Sequence, residues 1–159
     1  MLSLVLYARH QKINLMRVLD NVAIVTPICA CAIRLGNLMN SEIIGRVTDV
    51  PWAFIFERVD MAPRHPGQLY EAICYACFFF VGWWIYRRKP ERVGTGYFFG
   101  LCLVLIFASR ILIEYTKENQ VGFEEGMLFN MGQLLSVPFV LLGIYCMKGG
   151  KWCRRLGEK

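Results

Sequence analysis

Seven residues able to bind an anion, move a proton or free the backbone fall within thirteen positions of this chain, in the stretch RLGNLMNSEIIGR: Arg34, Gly36, Asn37, Asn40, Glu42, Gly45 and Arg46. Guanidinium forks grip phosphate or carboxylate through paired N–H donors. Asparagine amides supply both donors and acceptors, and a glutamate can orient an arginine or help with a proton. Glycines let backbone approach a ligand closely. A single arginine or asparagine at a helix end is ordinarily an interfacial anchor. Seven such residues packed this densely suit a pocket for a polar head group.

A second set lies in ASRILIEY, where Arg110 and Glu114 are spaced i, i+4 and share one helix face. They form either a structural ion pair that neutralises itself or an anion site in which Glu114 holds the Arg110 fork for a phosphate. Glu71 stands beside Gln68 and Tyr70 near the start of another apolar run. Charges within a membrane are costly and usually face the bundle interior or a water-filled cavity. His65, in RHPGQLYE, has the chemistry of a base, but a histidine before proline can equally cap the next helix or be exposed.

The elements that position these groups are apolar runs. The chain is 56% hydrophobic, above the roughly 45–50% of a soluble domain, and the excess is clustered. Four spans are expected, at residues 18–33, 69–86, 94–115 and 127–147, each approaching the roughly 20 residues needed to cross a bilayer. Lipid satisfies no open backbone group, so the spans are helices. The expected architecture is an all-α polytopic membrane protein forming a single membrane domain over residues 1–159. Its loop between the first two spans is long, and the alternation in WAFIF leaves room there for a short hairpin.

Charge bias orients the spans. Arg9, Lys12 and Arg17 precede the first; Arg87, Arg88, Lys89 and Arg92 join the second to the third; Lys148, Lys151, Arg154, Arg155 and Lys159 follow the fourth. These basic segments belong on the cytoplasmic side. The long loop is charge-balanced, and the segment after the third span sets Lys117 against Glu118, Glu124 and Glu125, so both face outward. A net charge of +6 in clusters beside apolar runs suits an anionic membrane surface and makes no case for nucleic acid. The seven cysteines are odd in number and mostly within apolar runs, so they read as packing residues. No ligand cluster at metal spacing and no nucleotide loop is present, so no metal or cofactor is expected. The opening LSLVLYA is too short to span and reads as the end of a helix begun upstream, so the chain is expected to be an N-terminally truncated part of a larger domain.

RLGNLMNSEIIGRVTD resembles the signature of the prolipoprotein diacylglyceryl transferase family, matching it at Arg34, Gly36, Asn37, Asn40, Glu42, Gly45 and Arg46. RHPGQLYEA, SRILIEYTKENQ and NMGQLLSVP resemble three further motifs of that family, in the family's order. The chain differs in lacking the family's upstream spans and their His-Gly-Gly motif, and in carrying Lys117 where arginine is frequent.

The resemblance implies a phosphatidylglycerol–prolipoprotein diacylglyceryl transferase of the bacterial inner membrane. It would move the diacylglyceryl group of phosphatidylglycerol to the lipobox cysteine beside a prolipoprotein signal peptide, forming a thioether and releasing glycerol phosphate. Arg34 and Arg110 would then grip the phosphate. Glu42 would orient Arg34 or Arg46 or help with the proton, and Glu114 would position Arg110. Asn37, Asn40, Gly45, Arg46 and His65 would complete substrate binding. Two other readings stand beside this one: a transporter or channel subunit with a polar Arg/Glu path, and an inactive lipid-binding remnant of the transferase.

Overall fold

The computed structural model describes residues 2–114, 131–151 and 153. Among these the chain is nearly all helix. Its elements run α1 (Leu2–His10), α2 (Leu15–Met39), β1 (Phe54–Ile55), β2 (Pro63–Arg64), α3 (Gly67–Arg88), a 3-10 turn (Pro90–Arg92), α4 (Tyr97–Ile113) and α5 (Met131–Met147). Tyr115, residues 127–130, the acidic segment with Lys117, Glu118, Glu124 and Glu125, and the tail residues Arg154, Arg155 and Lys159 lie outside the described residues.

Local chemistry fixes where the helices begin and end. Asn14 caps α2, its side-chain oxygen accepting from the N–H groups of Met16 at 2.7 Å and Arg17 at 3.4 Å. Pro27 lies inside α2 and removes one backbone donor. The helix continues past residue 33, where the first span was expected to end, and closes only when the Asn40 N–H bonds the Gly36 carbonyl. No proline interrupts residues 34–39, and Leu35, Leu38 and Met39 are good helix formers. Arg34, Gly36 and Asn37 therefore ride on the last turns of α2 rather than in a loop. α3 starts directly after Pro66 and ends on Arg87 and Arg88, which suit the negative end of the helix dipole.

The start of α4 is held from far away in the sequence. The buried Asp20 carboxylate accepts from the N–H groups of Gly94 at 2.8 Å, Gly96 at 2.9 Å and Phe99 at 2.8 Å. Gly96 supplies the left-handed turn, φ +84°, that brings this N-terminus onto α2. α2 packs chiefly on α3, and α4 chiefly on α5. The α4–α5 crossing is close because glycine faces glycine: a Cβ built on Gly143 would stand 2.7 Å from the Gly100 carbonyl oxygen. Phe107 and Phe139 stack across the same crossing at 4.5 Å.

α2 and α3 are long and apolar enough to cross a bilayer, yet only 22% of each apolar window is buried within the chain. The core helices of a soluble domain bury far more, so these surfaces suit lipid. α4 and α5 are shorter apolar helices. The expected basic segments gather at one end of the bundle: a Cβ on Gly94 would lie 3.7 Å from Arg17, and one on Gly96 would lie 3.1 Å from the Cys153 sulfur. At the opposite end, the long loop holds the expected hairpin, with Phe54 opposite Arg64 and Ile55 opposite Pro63.

Candidate functional site

The end of the bundle away from the basic segments collects side chains from three helices. Arg34 comes from the end of α2, Gln68, Glu71 and Tyr75 from the first turns of α3, and Arg110 and Glu114 from the end of α4. Gln68, Glu71 and Tyr75 follow i, i+3, i+7 spacing, so they line one stripe of α3. All three are buried.

Arg34 and Glu71 form an ion pair, Nε to Oε2 at 2.5 Å, with the Glu71 side chain 1% exposed. Tyr75 lies in the field of both Arg34 and Arg110. Arg110 Nε is buried and has no hydrogen-bond partner among the described residues. Glu114 closes α4, its N–H bonding the Arg110 carbonyl. Its carboxylate lies against α5, 2.9 Å from where a Cβ would stand on Gly132. Gln133 of α5 donates to the Ile111 carbonyl at 3.1 Å and ties the ends of the two helices together.

The signature loop is fastened to α3 beneath it. Gln68 Nε2 donates to the Glu42 carbonyl at 2.5 Å. The Gly45 N–H bonds the His65 carbonyl, and the His65 N–H bonds the Arg46 carbonyl. Arg64 grips Asp60, Nη2 to Oδ2 at 2.6 Å, and donates from Nη1 to the Gly45 carbonyl. The Arg64 guanidinium beside it holds the Asp60 carboxyl below the usual carboxylate range. His65 Nδ1 meets the Tyr70 hydroxyl at 3.1 Å, and that hydroxyl accepts from the Trp52 indole at 2.9 Å. Ser41 and Ile43, either side of Glu42, both take left-handed backbone, at φ +57° and +56°. For a β-branched isoleucine that conformation is strained.

The expected residues thus divide. Arg34 and Arg110 are brought to the same buried cluster around Tyr75. Glu42 is not the group on Arg34: its side chain is exposed, and Glu71 takes that place. Asn37 is half-buried on α2, whereas Asn40 and Arg46 are exposed. Gly45 is buried between Arg64 and His65. His65 serves the loop through its backbone and Tyr70 through its ring. Spacing alone missed Glu71 as the partner of Arg34, and with it Tyr75, Gln68 and Arg64. The signal available was the period of α3, which places Gln68, Glu71 and Tyr75 on one face.

Such a cluster can hold an anion. Two half-buried arginines act on one locus at this end of the bundle, and Arg34 is anchored through its Nε by the buried Glu71 carboxylate.

A family model described as prolipoprotein diacylglyceryl transferase matches residues 1–148. Proteins named phosphatidylglycerol–prolipoprotein diacylglyceryl transferase are similar to this chain. That of Bacteroides fragilis is 60% identical over 146 residues, covering 92% of this chain and 53% of the relative. That of Tolumonas auensis is 47% identical over 148 residues, covering 92% and 57%. That of Porphyromonas gingivalis is 44% identical over 155 residues, covering 88% and 55%. The chain spans about half the length of the curated relatives it matches.

Proposed function

We propose, from the premise that this chain belongs to the prolipoprotein diacylglyceryl transferase family, that it works in transferring the diacylglyceryl group of phosphatidylglycerol to the lipobox cysteine of prolipoproteins. The observation that carries the reading is the placement of Arg34 and Arg110 about Tyr75, with Arg34 fixed by Glu71 at 2.5 Å.

The chemistry requires that placement. The acceptor thiol gives up its proton, because the thiolate is the nucleophile. Its sulfur attacks the glycerol carbon that bears the phosphate. The S–C bond forms, the C–O bond breaks, and the electron pair leaves on the phosphate oxygen. The phosphodiester's single charge thus grows toward two on glycerol phosphate. Two preorganised guanidinium groups at that oxygen lower the barrier, and removing one such donor typically costs about 3–4 kcal/mol. Asn37, Asn40, Gly45, Arg46 and His65 bind substrate or hold the loop over it. Glu114, its carboxylate against α5, lines the site one turn from Arg110, and Glu42, at the exposed rim, meets the arriving acceptor or its proton.

The apolar outer surfaces of α2 and α3 suit sideways entry of the lipid, whose tails then stay in hydrocarbon. The acceptor's signal peptide, itself a hydrophobic helix, takes the same route. The enzyme sits in the bacterial inner membrane with the Arg34 end outward and the C-terminus in the cytoplasm. Gathering of the basic segments at the other end of the bundle supports that orientation.

The test is mass spectrometry of a lipobox peptide incubated with phosphatidylglycerol vesicles and the full-length protein. The expected product carries a diacylglyceryl thioether, and Arg34→Ala lowers its rate at least about 100-fold without loss of membrane-inserted protein. Normal transfer by that variant overturns the assignment. A reporter fused after Lys159 that reads out as external overturns the orientation.

A further inference from the structure

Arg34 cannot aim itself. A lone arginine at a helix end has several rotatable bonds and sweeps a wide arc, whereas transfer needs its donors placed to within a fraction of an ångström. Three features restrict it here. Glu71 takes Nε at 2.5 Å from a position with its own side chain 1% exposed. Tyr75, one turn further along α3, is buried in the field of the same guanidinium. Gln68, one turn earlier, holds the Glu42 carbonyl at 2.5 Å, in the middle of the signature loop. One face of α3 therefore fixes both the arginine and the loop that follows it.

We infer that Glu71 is a positioning residue for the transfer reaction: it clamps the Nε edge of Arg34 so that the paired Nη donors face the phosphate. The inference rests on the proposed transfer function. It assigns Glu71 no contact with substrate and no proton. A carboxylate on the Nη fork would compete with the phosphate for the same donors. A carboxylate on Nε leaves that fork available and fixes its plane. Burial of Glu71 strengthens the clamp, because water does not screen the pair. Tyr75 is in the field of both Arg34 and Arg110, so the two guanidinium groups act on one locus.

The experiment is steady-state transfer from phosphatidylglycerol vesicles to a lipobox peptide by the full-length protein. It compares the parent with Glu71→Gln, Arg34→Lys, the double variant and Arg34→Ala. Glutamine keeps the shape of Glu71 but not its charge, so a mis-aimed Arg34 is expected to lower kcat about 10–100-fold with little change in KM. Lysine has no Nε for Glu71 to clamp, so in the Arg34→Lys background the Glu71→Gln change should cost less than about threefold. Equal fold losses in the two backgrounds signify a merely structural role and overturn the inference. So does a Glu71→Gln kcat within about twofold of the parent while Arg34→Ala is inactive. If Arg34→Ala itself transfers normally, the transfer reading fails rather than the clamp alone.

Discussion

Two glycine substitutions should move stability in opposite directions, and the separation can be worked from the packing. A Cβ on Gly143 would stand 2.7 Å from the Gly100 carbonyl oxygen, 2.8 Å from Val104 Cγ2 and 3.1 Å from Leu103 Cβ. Comfortable contacts between carbon atoms lie near 3.5–4.0 Å, so Gly143→Ala must drive α4 and α5 apart by about 1 Å. The nearest obstacle is backbone, which cannot swing aside. Overpacking of this kind costs about 1–3 kcal/mol, against a gain of about 1 kcal/mol for alanine over glycine in a helix. The net expectation is a loss of up to about 2 kcal/mol. Gly82 in α3 has no heavy atom within 4 Å of its would-be Cβ. Gly82→Ala should therefore stabilise by about 0.5–1 kcal/mol. Thermal unfolding of each variant in a mild detergent, followed by far-ultraviolet circular dichroism, measures the difference. Transfer activity should fall with Gly143→Ala, because α4 carries Arg110, and should survive Gly82→Ala. Shifts of the same sign in both variants, or a Gly143→Ala protein as stable as the parent, would refute the close-crossing argument.

Other outcomes follow from features at both ends of the bundle. Asp20→Ala orphans three backbone N–H groups at the start of α4 and should cost about 2–4 kcal/mol, with Asp20→Asn losing about half as much; indistinguishable melting of the two variants would count against the charged cap. Ile43→Asn places a residue tolerant of left-handed backbone at φ +56° and should gain about 1 kcal/mol. A clear drop in melting temperature would contradict the strain. Asp60 is held below its ordinary value when folded, so its contribution is present above the unfolded carboxylate value and lost as pH falls through the folded one. The stability gap between parent and Asp60→Asn should be constant from about pH 7 to 5 and close below about pH 4. A gap that widens in acid would reverse the sign.

Much of this architecture was legible in the residues. Apolar runs and basic punctuation locate the helices because lipid leaves the backbone little choice. WAFIF between prolines indicates the hairpin. Helix ends were harder. The first apolar run fades at Ile33, but nothing after it stops a helix until Asn40, so hydropathy ended the element about two turns early. Of the site, Arg34 and Arg110 were recognisable as anion ligands because buried guanidinium groups are costly and rarely idle. Their partners were not, since pairing depends on which faces of α2, α3 and α4 meet. Proximity in sequence suggested Glu42 for Arg34, whereas helix packing supplies Glu71. Asp20 was visible only as a charge near a span's start. That its carboxylate caps a helix more than seventy residues away is a tertiary fact with no local signal.

That cap also defines a common zero for two rulers. From Asp20, Arg34 stands about 21 Å along α2, and from Phe99, bonded to the same carboxylate, Arg110 stands about 16 Å along α4. One residue inserted in either interval would advance its arginine by about 1.5 Å and turn it by about 100° relative to the other. Away from the Gly100 crossing, side-chain replacements between residues 20 and 34, or between 99 and 110, are therefore less consequential than changes in length. The hairpin loop, outside both intervals, can lengthen or shorten without disturbing the spacing. Variation by insertion and deletion should be barred from the two segments that lead to the arginines, for a reason that lies at the opposite end of the bundle.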